Sequence, residues 1–123
     1  MNLKMSRVIL FVDDIKKTTD FYENIIGLEL VGERNNEFVI FDAGGCQLCL
    51  HQIPSEYLDS TNKYEAREDS YTKVVFYSDS VERDRAELIA KGVRMKKVIK
   101  FEGIEFCDGC DCEGNIFQIS SRL

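Results

Sequence analysis

One supersecondary unit occurs twice in this chain. Residues 7–27 read RVILFVDDIKKTTDFYENIIG, and residues 73–92 read KVVFYSDSVERDRAELIAKG. Each copy opens on a basic residue and a β-branched, aromatic run, which favours a strand. Each then meets a cluster suited to start a helix, Asp13-Asp14 or Asp79-Ser80, and Glu82 stands at capping-box spacing from Asp79. Helical periodicity comes next in both. Ile15, Thr18, Phe21, Tyr22, Ile25 and Ile26 form one face; Val81, Arg85, Leu88 and Ile89 form its weaker counterpart. Gly27 and Gly92 then suit the left-handed position that closes a helix. Arg7 and Lys73 lie 66 residues apart, about half of the 123. Two copies of one unit is the simplest reading.

The segments after the two helices also match. Strand-like runs near 28–34, 37–42 and 46–53 come after the first, with turns at Asn35-Asn36 and Ala43-Gly44-Gly45. Runs near 94–100, 103–108 and 115–121 come after the second, broken by Gly103 and by the turn-type stretch Gly109–Gly114. The expected class is α+β: two βαβββ modules in a single domain, 1–123, with mixed sheets and the helices on one face. Module one is about 1–53 and module two about 72–123. Residues 54–71 carry five acids and two bases without a clean period, and read as a solvated connector holding a short helix at most.

Strand alternation sorts the residues between faces. Val8, Leu10, Val12, Leu48, Leu50, Val74, Phe76, Phe117 and Ile119 point toward the helices. The opposite face then collects Arg7, Ile9, Phe11, Gln47, Cys49, His51, Lys73, Val75, Tyr77, Ile116, Gln118 and Ser120. Apolar walls with a few polar heads have the composition of a small-molecule site. The candidate ligand-binding residues are Arg7, Cys49, His51, Lys73, Tyr77 and Gln118.

Charge narrows the partners. Sixteen basic against 22 acidic residues give a formal net charge of −6, without a Lys/Arg cluster, which argues against nucleic acid. The apolar run Val8–Val12 is too short for a signal peptide or membrane span, so the expected compartment is cytoplasmic. Five cysteines in a reducing cytosol read as free thiols. A single histidine excludes any site built on two His ligands of one chain.

VILFVDDIKKTTDFYENIIGLEL resembles the opening of the vicinal oxygen chelate superfamily, which includes glyoxalase I, bleomycin- and fosfomycin-resistance proteins and extradiol dioxygenases. DCEGNIFQI (111–119) resembles that superfamily's closing aspartate-proline-aspartate-glycine-asparagine turn and last strand, with Cys112 where proline is usual. The resemblance implies paired βαβββ modules whose sheets curve around a cup, with the helices outside. It also implies a divalent metal held from four equivalent strand positions by His or Glu, and it makes a homodimer plausible. Those four positions fall here on Arg7, Cys49, Lys73 and Gln118. Arginine has no lone pair to give, lysine would have to lose its proton, and two cations repel a divalent ion. The expectation is therefore a cup without metal or other cofactor that binds a small polar or anionic molecule, as metal-free drug-sequestering members do. The alternatives are a lactoylglutathione-lyase-like or other lyase or isomerase with an altered site, and a partner-binding module docking through 54–71.

The thiols offer rival readings. Cys46-x-x-Cys49 and Cys107-x-x-Cys110 mimic a zinc site, but residues three apart on a strand face opposite ways. Cys107, Cys110 and Cys112 form a tighter cluster of undetermined role. Cys49 and His51 share a strand face and are candidate catalytic residues, with Arg7 or Lys73 able to favour a thiolate.

Overall fold

The computed structural model describes residues 1–58 and 66–122. The chain divides into two compact units, Met1–Lys63 and Tyr64–Leu123. The first has the expected βαβββ order, and the second has it with the strand after its helix split in two. Residues 59–65 of the expected connector lie outside the described residues. Of the remainder, Ser55–Tyr57 is a single 3₁₀ turn. Arg67 N donates to Gly114 O, tying the connector's end to the second unit.

In the first unit β1 (Arg7–Val12) leads into α1 (Ile15–Asp20), and β2 (Glu29–Arg34), β3 (Phe38–Asp42) and β4 (Gln47–Gln52) come after it. The sheet order is β1-β4-β3-β2, with β1 parallel to β4 and the other pairs antiparallel. Two side chains fix the entry to α1. Asp14 accepts from Lys17 N at 3.1 Å, as an N-cap. Gln52 accepts from Ile15 N and donates to Asp13 O, joining the end of β4 to the turn after β1. The helix differs from the expectation in its second half, because Phe21–Ile26 is π-helical. That wider turn lets the adjacent Phe21 and Tyr22 both bury, with rings 5.1 Å apart edge to face. Gly27, at φ 91°, ends it as the spacing predicts.

Asn35 and Asn36 both take positive φ and Glu37 N closes the turn on Arg34 O, which gives a β2–β3 hairpin whose twist suits its strands. Val12, Ile15, Phe21, Tyr22, Val39, Phe41, Leu48 and Leu50 make the buried core of this unit.

The second unit repeats the plan with β5 (Val74–Tyr77), α2 (Val81–Ala90), β6 (Arg94–Met95), β7 (Ile99–Phe101), β8 (Ile104–Cys110) and β9 (Ile116–Ser120). β5 runs parallel to β9, and β9 antiparallel to β8. The strand expected at 94–100 is interrupted. Lys96 N still donates to Asp108 O, and the register with β8 then slips by one residue between β6, where Met95 faces Gly109, and β7, where Ile99 faces Phe106. The capping box does not form either. Asp79 binds Arg83 at 2.7 Å, and Ser78 Oγ donates to Asp84 instead. Ile89 is 44% exposed, so the packed face of α2 rests on Val81 and Leu88. Gly109 is a strand residue of β8 and not part of a turn. A Cβ there would stand 2.8 Å from the Phe117 ring, so the position needs glycine for space.

Among the described residues no helix is long and apolar enough to cross a membrane.

Candidate ligand-binding faces

Register places the candidate residues in rows. On the face of the first sheet turned from α1, one row runs Arg7–Gln47–Asp42 and the next Ile9–Cys49–Ile40–Gly32. A third runs Phe11–His51–Phe38–Arg34. Arg7, Cys49 and His51 thus share one face, as alternation predicts. His51 packs between Phe11, at 5.3 Å between centroids, and Phe38, at 5.7 Å. The Arg7 guanidinium lies 5.9 Å from the Phe38 centroid and that of Arg34 5.8 Å. Neither arginine has an ion pair among the described residues. Asp42, in the row of Arg7, turns its carboxylate to Gly44 N at 2.9 Å. An open depression of about 550 Å³ lies at this end of the sheet, lined by Arg7, Asp42, Cys46 and Gln47 among others.

Cys49 is fully buried between Ile9 and Ile40. Burial pushes its thiol above the usual range, and the Arg7 charge opposes this without cancelling it. Of the two influences burial is the larger, and it favours the thiol over the thiolate.

The second unit holds the other candidates. Lys73 lies one residue before β5, and its Nζ is 2.8 Å from Asp108 Oδ2. Gln118 stands opposite Asp108 in the ladder, and its Nε2 donates to Asp108 Oδ1 at 3.0 Å. Tyr77 lies on the same face, 51% exposed. Sequence reasoning missed Asp108, although alternation from buried Cys107 would have placed it on this face. It also missed Phe38 and Arg34, although their strands alternate in the same way.

Asp108 changes the electrostatics of this face. Burial pushes its carboxyl up, but hydrogen bonds from Lys73 and Gln118 and the charges of Lys73 and Lys96 together pull it below the usual range. The Lys73 cation is thereby neutralised locally. The linkage has a definite sign: a carboxyl lowered on folding contributes stability above its unfolded value, lost as pH falls through the folded one. Urea unfolding across pH 6 to 2.5 should show a stability gap between wild type and Asp108→Asn that is constant above about pH 5 and shrinks below about pH 4. A gap independent of pH would refute the assignment.

Taken one by one, the residues at the four positions that the resemblance implies do not suit a divalent metal. Arg7 offers no lone pair, Lys73 is ion-paired, the Gln118 amide nitrogen is held on Asp108, and Cys49 is a buried thiol. Among the described residues no group of three or more His, Cys, Asp or Glu could hold a metal ion. The cysteines are all free; Cys107 and Cys110 are buried, and Cys46 and Cys112 half-buried. Arg94 donates to Cys110 Sγ at 3.3 Å.

Twice-repeated βαβββ modules, each with a polar-studded face away from its helix, define the paired-module α+β class. A family model, the Glyoxalase/Bleomycin resistance protein/Dioxygenase superfamily, matches residues 4–105, and the chain belongs to that family. Solved structures share the fold along nearly the whole length. UcmS2 superposes with TM-score 0.82 at 19% identity, covering 99% of this chain and 100% of that one. Lactoylglutathione lyase from Agrobacterium tumefaciens gives 0.74 at 19%, covering 98% and 94%. An E126Q mutant of the fosfomycin resistance protein FosX from Listeria monocytogenes, complexed with Mn(II) and 1S,2S-dihydroxypropylphosphonic acid, gives 0.76 at 20%, covering 100% and 93%. No curated protein sequence matches the chain significantly.

Proposed function

We propose that this protein binds a small anionic molecule without a metal, and that Arg7 is its principal charge contact. One observation carries the reading. At the first of the family's ligand positions stands an exposed guanidinium with no carboxylate partner among the described residues, over an aromatic ring. A guanidinium so placed suits a carboxylate or phosphate, where a charge-assisted hydrogen bond contributes about 1.5–3 kcal/mol. Lys73, by contrast, already has its counter-ion in Asp108. A lyase or isomerase working through a Cys49 thiolate gains no support from a thiol that is buried and raised.

Two measurements on untagged protein test this. Calorimetric titration with Mn(II), Ni(II) and Zn(II) should give no stoichiometric binding. A panel of small carboxylates and phosphates should contain ligands whose affinity survives chelator and falls about tenfold or more in Arg7→Gln, which is about 1.4 kcal/mol. Anion binding abolished by chelator and restored by Mn(II) would defeat the proposal.

A further inference from the structure

The third row of the first sheet, Phe11–His51–Phe38–Arg34, has one chemical property in common: every side chain ends in a planar π system. The row crosses all four strands, which at the usual strand spacing is about 14 Å. Beside it the row Ile9–Cys49–Ile40–Gly32 is apolar and low in relief. Cys49 is small, Gly32 has no side chain, and the Ile40 methyl leans over the glycine, 3.2 Å from where a Cβ would be. The result is a flat apolar strip bounded along one side by rings.

Charge is added at the β2 end of that strip by Arg34 and across it by Arg7, whose row lies on the other side of Cys49 from that of Phe38. Arg7 comes from the edge strand β1 and Arg34 from the edge strand β2, yet both reach within 6 Å of the same Phe38 ring, at 5.9 and 5.8 Å. Two guanidinium ions drawn to one ring repel each other, and among the described residues no carboxylate pairs with either. The negative face of a benzene ring offsets only part of that repulsion. An anion held between the two would offset more of it. Phe11 meanwhile remains 58% exposed and Ile9 38%, so apolar surface is open beside the cations.

From this we infer that the ligand is a planar aromatic anion. Its ring system lies on the Ile9–Ile40 strip against Phe38 and His51, and its carboxylate or phosphate is shared by Arg7 and Arg34. The inference rests on the metal-free anion binding proposed above and narrows it to a chemical class. It accounts for two features together that anion binding alone leaves apart, the continuous π row and the second arginine.

Three probes of similar size separate the contributions: 2-naphthoate, 2-naphthylmethanol and decalin-2-carboxylate, each titrated calorimetrically into the full chain. Naphthoate should bind at least tenfold more tightly than either of the others. Arg34→Met should lower the advantage of naphthoate over the neutral alcohol by about threefold or more, and Arg7→Gln should lower it further. An unchanged advantage in Arg34→Met overturns the shared anion. Phe38→Leu should remove most of the advantage of naphthoate over the saturated acid. Decalin-2-carboxylate binding as tightly as naphthoate, and weakened by Arg7→Gln, overturns the aromatic class while leaving anion binding intact. Failure of both carboxylates to bind overturns the inference, and failure of the wider anion panel as well overturns the proposed function.

Discussion

Asp111→Ala should destabilise the protein by about 3 kcal/mol, although Asp111 lies on neither ligand face. Its Oδ1 accepts from Glu113 N at 2.8 Å and from Asn115 N at 2.9 Å, and its Oδ2 accepts from Asn115 Nδ2 at 2.9 Å. Asp111 is 3% exposed, so its hydrogen bonds are made out of contact with bulk solvent. Hydrogen bonds to a charged acceptor contribute about 1.5–3 kcal/mol each and do not add independently, because the three share one anchor. Alanine leaves two backbone N–H groups without their acceptor. Asp111→Asn should lose less. It keeps one oxygen for the backbone donors but sets its own NH₂ against that of Asn115. Urea unfolding of the two variants provides the check, and equal stability of wild type and Asp111→Ala would show that the turn closes without its side chain.

That turn explains why DCEGN is legible as a signature and yet uninformative about chemistry. Asp111 closes the loop, Gly114 supplies a φ of 85° and Asn115 returns the hydrogen bond. All three serve backbone geometry, so Cys112 can stand where proline is usual without disturbing the hydrogen-bonded frame. Turn-forming residues and strand alternation are local, and the βαβββ repeat and the facing of Arg7, Cys49 and His51 come from them directly. Other features are set by contacts that are distant in sequence. Asp108 meets Lys73 across 35 residues, and Gln52 reaches Ile15 across 37. The π-helical turn at Phe21–Ile26 likewise reflects the need to bury two adjacent aromatic side chains, which an α-helical periodicity count treats as one continuous face. Interruption of the 94–100 strand is a one-residue slip against β8, where the three residues between Met95 and Ile99 face the two between Gly109 and Phe106, and it is set by the pairing across the ladder.

Two phenylalanines three residues apart in β3 separate stability from binding most sharply. Phe41 is fully buried on the α1 side of the sheet, its ring 6.4 Å from that of Tyr22, while Phe38 is half-buried on the opposite face among Arg7, Arg34 and His51. Removing a ring from a closed core leaves a cavity that close-packed neighbours fill only partly. Phe41→Ala should therefore cost about 3–5 kcal/mol. Phe38→Ala opens no enclosed space. It removes two cation–π contacts and one ring edge, each contributing about 0.5–1.5 kcal/mol at a half-exposed site, and part of that loss is regained as the arginines are relieved of their crowding. Its expected cost is about 1 kcal/mol, yet it should abolish the preference for aromatic over saturated carboxylates. Phe41→Leu, which keeps most of the core volume, should leave that preference unchanged while still lowering the unfolding midpoint. Denaturant midpoints and the naphthoate-to-decalin affinity ratio, measured on the same three variants, decide the matter. A preference that tracked stability across the three, instead of tracking the face on which each ring stands, would mean that the π row serves packing alone.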